Sequence, residues 1–182
     1  MADTGLIRPQ SHTGFNSSGA SAIDDTVVAD DNTAGSVFMF SGATGTAIVS
    51  DFTGTDLPAG ATVNGVEITL KAGFAFSQCT ATTHVGKGGA GGSFGSTTVS
   101  QDLATSAGAS TTIYTQGSNS QTWNVDWSGF TDLSDLAVKI TCVRTDGGTG
   151  TSILGVFAVR AKVYYAEASS PDVISTLTLK GG

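Results

Sequence analysis

The sequence predicts an all-β protein, an antiparallel β-sandwich of jelly-roll type. Three observations in the 182 residues point to this class. Apolar and polar residues alternate over several stretches, glycine-rich segments separate those stretches, and no amphipathic helix of ten or more residues can be found. Short strands joined by glycine-rich turns are typical of sandwiches and jelly rolls.

The clearest strand follows a turn around Pro58 and Gly60. Proline presets φ for a turn, and glycine supplies the conformational freedom to complete it. From residue 66 the period is two, so one face is expected to carry Val66, Ile68 and Leu70. An antiparallel strand with one buried and one wet face needs this pattern.

Three weaker strands are predicted before this one. Residues 6–9 could form a short edge strand, because proline is tolerated there. Residues 36–40 are a compact apolar run. A further strand is expected to begin with Ile48, Ser50 and Phe52 and to end at the Gly54 turn.

Beyond the clearest strand, residues 84–95 are predicted to be a loop, because so much glycine disfavours a regular element. Residues 97–100 and 113–115 are short strand candidates. Residues 121–127 are predicted as a strand that carries on one side Trp123, Val125 and Trp127.

The last third of the chain predicts a hairpin. Thr131 is the expected N-cap of a short turn, and a strand over residues 136–143 follows. Residues 146–150 have hairpin-turn chemistry. The return strand is the longest, and one parity of it contains Ile153, Phe157, Val159, Ala161, Val163 and Tyr165.

We divide the chain into an N-terminal extended segment (1–20), a β-sandwich domain (21–167) and a C-terminal arm (168–182). Residues 173–179 of the arm alternate again. They could complete the protein's own sheet, add a strand to a neighbouring subunit, or form a flexible tail.

The charge balance argues against nucleic acid and membrane partners. Only 13% of residues are charged, the net charge is −7, and the eight basic residues are spread singly. Phosphate backbones and anionic membranes need clusters of lysine and arginine. We find no secretory signal and no apolar run of ~20 residues, so we expect synthesis in the cytosol. The composition nevertheless resembles extracellular β-proteins, and localisation in a virus particle would reconcile the two.

Tests for catalytic or metal motifs give no catalytic residue, cofactor or metal site. The glycine-rich segment lacks the phosphate-binding order, since Gly88 follows Lys87. His12 and His84 have no nucleophile-elbow motif nearby, and the two histidines and two cysteines lack zinc-ligand spacing.

Three alternatives remain open from the residues. Calcium could be bound by Asp24, Asp25, Asp30 and Asp31, although no calcium-loop motif is present. Cys79 and Cys142 could pair, although Cys142 has the parity of a core residue. A sugar platform could combine Trp123 and Trp127 with Asp126, Asp132 and Asp135, unless the two tryptophans belong to the core.

Several stretches resemble a widespread type of tailed-phage structural protein. They are Ile-Arg-Pro-Gln-Ser at 7–11, Ala-Ile-Asp-Asp at 22–25, Leu-Pro-Ala-Gly-Ala-Thr-Val-Asn-Gly-Val at 57–66, the tryptophan-containing residues 123–140, and Val-Tyr-Tyr at 163–165. Phe15 stands where this type usually has a tryptophan. The resemblance covers roughly residues 6–166 and implies a non-enzymatic virion component with a β-sandwich fold.

We therefore expect a protein that acts by assembly, most simply a capsid decoration protein that stabilises the shell. Its expected partners are its own copies, as a homotrimer, and the major capsid or another virion protein. The expected assembly residues are Ile7, Arg8, Pro9, Phe15, Val173, Ile174, Leu177 and Leu179. The alternative function is a tail-fibre, tail-tip or adhesin module that binds host-surface glycans.

Overall fold

The computed structural model describes residues 1–13, 35–39, 44–75, 79–103, 112–145 and 152–168. Strands and two 3-10 turns make up the regular structure of these ranges, and no helix in them is long and apolar enough to cross a membrane. The strands are β1 (Ala2–Asp3), β2 (Ser11–Thr13), β3 (Gly35–Met39), β4 (Thr44–Ser50), β5 (Thr62–Ala75), β6 (Cys79–Lys87), β7 (Ser93–Leu103), β8 (Thr112–Gly117), β9 (Leu136–Arg144) and β10 (Ser152–Ala166). The turns are Gly89–Gly91 and Leu133–Asp135.

The strands form two antiparallel sheets. In the first sheet β10 pairs with β5, β5 pairs with β8, and β1 and β3 both pair with β10. The second sheet has the order β2-β4-β9-β6-β7. From β3 onward the orders are 3-10-5-8 and 4-9-6-7, which is the arrangement of a jelly roll. The predicted fold class is confirmed.

The core lies between the two sheets, and the alternating residues fill it as predicted. The β5 residues Val66, Ile68 and Leu70 are fully buried. A second row of core residues comes from β9 and consists of Val138, Ile140 and Cys142. A third row comes from β10 and consists of Val159, Ala161 and Val163. At the turn before β5, the Ala61 N–H donates to the Pro58 carbonyl at 3.0 Å, and Gly60 has φ +77°.

The predicted hairpin is wrong. The edges of β9 are taken by β4 and β6, whereas β10 lies in the other sheet beside β5. The chain therefore crosses between sheets after residue 145 instead of folding back along its own strand. Turn chemistry predicts that the chain reverses, but it does not specify which strands then pair. Residues 146–150 lie outside the described residues.

Four local predictions also need correction. Residues 121–127 form no strand. The strand before β5 ends at Ser50, and it buries Ala47 and Val49 while Ile48 faces outward. The loop expected over 84–95 shrinks to residues 88–92, because β6 and β7 pair almost up to the turn. The cap at Leu133–Asp135 is Asp132 and not Thr131, since the Asp132 side chain accepts the Ser134 N–H.

Candidate functional site

The end loop, residues 118–131, crosses one end of the sandwich as a series of tight turns. The Gln121 N–H donates to the Ser118 carbonyl at 3.2 Å, and the Val125 N–H donates to the Thr122 carbonyl at 3.1 Å. A third turn is closed by the Phe130 N–H and the Trp127 carbonyl at 3.1 Å. These local bonds replace the strand ladder that the alternating sequence predicted.

Trp123 fixes the end loop to the edge of β5. The neighbouring strand β8 ends at Gly117, so Val66 of β5 has β10 on one edge but no strand on the other. Instead the Val66 N–H donates to the Gln121 carbonyl at 3.0 Å, and the Trp123 indole N–H donates to the Val66 carbonyl at 2.8 Å. The buried backbone groups of Val66 are thereby satisfied.

The loop backbone at this point is in a conformation that non-glycine residues rarely adopt. Trp123 and Asn124 have φ +57° and +55°. Such outliers persist only where the surroundings hold them, and they concentrate at functional sites. Close approach to β7 is what holds them here: a Cβ at Gly95 would collide with the Trp123 carbonyl, and the Asn124 amide donates to the Ser96 hydroxyl.

A groove runs beside the end loop, and we call it the end groove. It consists of a depression of about 550 Å³ and a neighbouring one of about 250 Å³, which share Val125 and Asp126. The larger part lies between residues 60–63 and the end loop, and the smaller part is lined by Lys87 and residues 93–95. The volume of the larger part falls in the range of ligand sites.

Three polar side chains converge on the groove. Asp126 accepts the Ser128 N–H at 2.9 Å, and the Lys87 ammonium donates to the Ser128 carbonyl at 2.9 Å. Hydrogen bonds from the backbone and side chain of Ser128, with a smaller contribution from the Lys87 charge, lower the pKa of Asp126 below its ordinary value. The groove therefore presents an ionised carboxylate, an ammonium and the Asn124 amide.

Aromatic side chains line the groove only in part. Trp123 is fully buried and Trp127 is 8% exposed, so the interpretation of both as core residues is confirmed and the two do not form an exposed platform. The Trp127 indole N–H donates to the Thr122 carbonyl at 2.9 Å, and its ring packs edge-on against Phe130. Phe94 is half-buried, with the Lys139 ammonium 4.7 Å from its ring centre.

The carboxylates of the sugar-platform alternative do not come together in the described groove lining. Asp126 is the carboxylate in that lining, whereas Asp132 and Asp135 belong to the 3-10 turn after the end loop. Within the described ranges no group of three or more histidine, cysteine or acidic residues could hold a metal. Asp24, Asp25, Asp30 and Asp31 lie outside those ranges.

The two cysteines are buried free thiols on the neighbouring strands β6 and β9. The hydrogen bond with Cys79 and the burial of the thiol raise the pKa of Cys142 well above its usual range. Both residues belong to the core.

The predicted assembly residues are only partly described. Ile7 is 4% exposed and bridges Ala161 of β10, with its N–H 2.8 Å from that carbonyl. Pro9 is buried and Arg8 is exposed. The remaining ones lie outside the described residues: Phe15, Val173, Ile174, Leu177 and Leu179. The assembly role of this set stays a prediction.

Sequence reasoning missed Lys87 and Asn124 as groove residues. Lys87 comes from the end of β6, so only the fold brings it to the loop. A local signal did exist for the loop itself. Asp-Trp-Ser at 126–128 is an Asx-turn sequence, and it argues against a continuous strand.

No family model and no curated protein matches this sequence. Solved structures similar to it include TmCBM61 in complex with β-1,4-galactotriose, with 8% identity over 87% of this chain and 88% of that chain, and a TM-score of 0.37. The bacteriophage CBA120 tailspike protein 4 enzymatically active domain shares 10% identity over 88% of this chain and 19% of that chain, with a TM-score of 0.39. A family 11 carbohydrate-binding module from Clostridium thermocellum shares 14% identity over 88% and 87%, with a TM-score of 0.35. At these scores the fold assignment depends on the two sheets themselves, and no ligand is transferred from these proteins.

Proposed function

We propose that this protein is a non-catalytic glycan-binding module, and that the end groove binds a neutral sugar chain. The observation that carries the proposal is the convergence of Asp126, Lys87 and Asn124 on a groove held by a strained loop. A loop fixed in this way presents its polar groups in a set geometry, which lowers the entropic cost of binding.

The chemistry of the groove suits sugar hydroxyls. Each hydroxyl can donate one hydrogen bond and accept others. The Asp126 carboxylate accepts, the Lys87 ammonium donates, and the Asn124 amide does both. One negative and one positive side chain leave this part of the groove without net charge, which favours a neutral glycan over an anionic one. Val125 and the exposed edge of Trp127 offer apolar contact to the C–H faces of the ring.

Binding is favoured over hydrolysis by the single carboxylate in the described lining. Most glycosidases need two carboxyl groups, about 5–9.5 Å apart, on either side of the scissile bond. Asp126 is also held ionised by Ser128, which suits an acceptor better than a general acid.

The resemblance to phage structural proteins supports a virion as the location of this activity. The resembling residues 57–66 and 123–140 supply much of the groove wall. A tail or adhesin module that binds glycans of the host surface agrees with both the chemistry of the groove and the resemblance to phage proteins. Capsid decoration stays a second hypothesis. The position of the copies in electron micrographs, many over the shell or few at the tail, would distinguish them.

The test is a glycan array followed by titration of the best ligand with two matched variants. Asp126→Asn removes the charge at the groove, and Asp132→Asn makes the same change at an exposed aspartate that also accepts a serine N–H but lies outside the groove. We expect neutral glycans to bind, and Asp126→Asn to weaken them about tenfold or more, because hydrogen bonds to charged groups are the strong ones. Asp132→Asn should bind like wild type.

An array on which no glycan binds would contradict the proposal. Equal affinities of the two variants and the wild type would also contradict it, because the groove would then not be the site. Release of reducing ends from the bound glycan would show that the module is an enzyme.

A further inference from the structure

The outer face of the second sheet carries an unusual concentration of hydroxyl groups. Strand register arranges twelve side chains on it in three rows across β4, β9, β6 and β7. The rows are Thr44, Val143, Thr80, Asp102; Thr46, Thr141, Thr82, Ser100; and Ile48, Lys139, His84, Thr98. Seven of the twelve are threonine or serine, and all twelve are half-buried or exposed. We call this surface the hydroxyl face.

Many of these hydroxyls bond to one another across the strands. Thr46 and Thr141 are 3.2 Å apart between their Oγ1 atoms, and Thr82 Oγ1 lies 2.9 Å from Ser100 Oγ. Thr80 donates to the Asp102 carboxylate at 2.6 Å. A polar group that already has a partner costs less to remove from water than one without a partner. The hydroxyl face can therefore be dehydrated at low cost, and the threonine methyls add apolar area.

The charge of this face differs from that of the whole chain. The protein carries a net charge of −7. On the hydroxyl face Lys139 balances Asp102, and burial followed by the Lys139 charge lowers the pKa of His84, so the imidazole is neutral at pH 7. Two copies of an acidic protein repel each other over most of their surfaces, but this face is neutral.

The positions of the two charged side chains fit a symmetric contact. Thr82 pairs with Ser100 on one side and with Thr141 on the other. Asp102 lies one strand and one row from Thr82, and Lys139 lies one strand and one row away in the opposite directions. A two-fold axis that passes by Thr82 in the plane of the contact, perpendicular to the line from Asp102 to Lys139, therefore sets Asp102 of each copy opposite Lys139 of the partner copy.

The area is sufficient for a stable dimer. The strands β6 and β9 have nine residues each, which corresponds to ~30 Å at ~3.3 Å per residue. The hydroxyl face spans four of the strands of this sheet, so at ~4.8 Å per strand its width is ~19 Å. Two faces of ~30 by ~19 Å would bury roughly 1,100 Å² in all, above the ~1,000 Å² that a specific contact needs.

We propose that the hydroxyl face is the contact between two copies of this chain, packed face to face about a two-fold axis near Thr82. The contact is isologous, so each residue on the face meets the symmetry-related surface of the partner copy. This goes beyond glycan binding, and it would double the number of end grooves in one particle and so raise avidity.

The test compares Thr82→Lys with Thr69→Lys by sedimentation equilibrium. Thr82→Lys puts two like charges opposite each other at the axis, although it lowers the net negative charge of the chain. Thr69 is also a half-buried threonine in the middle of a strand, but it lies on the outer face of the first sheet. We expect a wild-type dimer, a dissociation constant at least tenfold higher for Thr82→Lys, and no change for Thr69→Lys.

Charge reversal gives a second, independent readout. Asp102→Lys and Lys139→Asp should each weaken the dimer, because each places like charges opposite each other, and the double variant should restore it. Circular dichroism confirms that each variant is folded. The proposal would be overturned if the wild-type protein were still a monomer at about 100 μM, a concentration well above the dissociation constants of specific interfaces, which are about micromolar or lower. A trimer, a dimer that Thr82→Lys leaves intact, or a double variant without restoration would also overturn it.

Discussion

The strand β5 and the end loop share one sequence pattern but not one structure. Val66, Ile68 and Leu70 alternate in β5, and Trp123, Val125 and Trp127 alternate in the loop. In β5 the backbone pairs with β10 on one side and β8 on the other. In the loop the backbone closes turns on itself.

This difference shows what alternation reports. It indicates which residues are buried, and two of the three loop residues are indeed core residues. It does not fix the backbone conformation, which depends on where the N–H and C=O groups find partners. Because the loop backbone turns, the residues between the tryptophans point into a groove instead of lying on a flat sheet.

The largest effect should come from Trp123, which joins the two regions. Trp123→Ala should lower the free energy of unfolding by about 3–5 kcal/mol, because it removes a fully buried ring. Trp123→Phe should cost about 1–3 kcal/mol, since it keeps most of the ring but leaves the Val66 carbonyl without its donor. Urea denaturation measures both. A loss below about 1 kcal/mol for Trp123→Ala would mean that the ring does not fix the loop to β5.

A smaller effect is expected where the loop crosses β7. Gly95→Ala should destabilise the protein by about 1–3 kcal/mol, because the added methyl collides with the Trp123 carbonyl and crowds Val125. Gly91→Ala is the matched control, since a Cβ there meets nothing within 4 Å. Thermal unfolding of the two variants distinguishes close packing from a general intolerance of this segment, and equal melting temperatures would contradict the described path of the loop.

The smallest effect concerns His84 on the regular strand β6. Burial lowers its pKa below 6.5 in the folded protein, and the nearby Lys139 charge adds to this. The unfolded chain therefore binds a proton on His84 more readily than the folded protein does. The stability that the neutral imidazole gives the folded state is complete above pH 6.5, and it is lost as the pH falls from 6.5 toward the pKa of the folded protein. His84→Gln should flatten the decrease in melting temperature from pH 7 to pH 5. An unchanged pH profile would contradict this assignment.

The sandwich could be predicted because strands that bury one face show apolar residues at every second position. This pattern is clear in the sequences of β5, β9 and β10. It did not predict the partners of β9, because pairing is a choice among strands far apart in sequence. It also did not predict the groove. Lys87 and Asn124 are far apart along the chain, and both line the groove because Gly95 lets the end loop pass close to β7. The alternating pattern within single strands was enough to predict the fold class, whereas the groove depends on how distant segments are brought together by the topology.

The most direct test of the central claim is an amide chemical-shift titration with the best glycan from the array. We predict that the shifts concentrate at residues 60–63, Lys87, 93–95 and 122–129, which line the end groove. Shifts confined to the hydroxyl face or to the outer face of the first sheet would contradict the proposed site, even if the glycan binds.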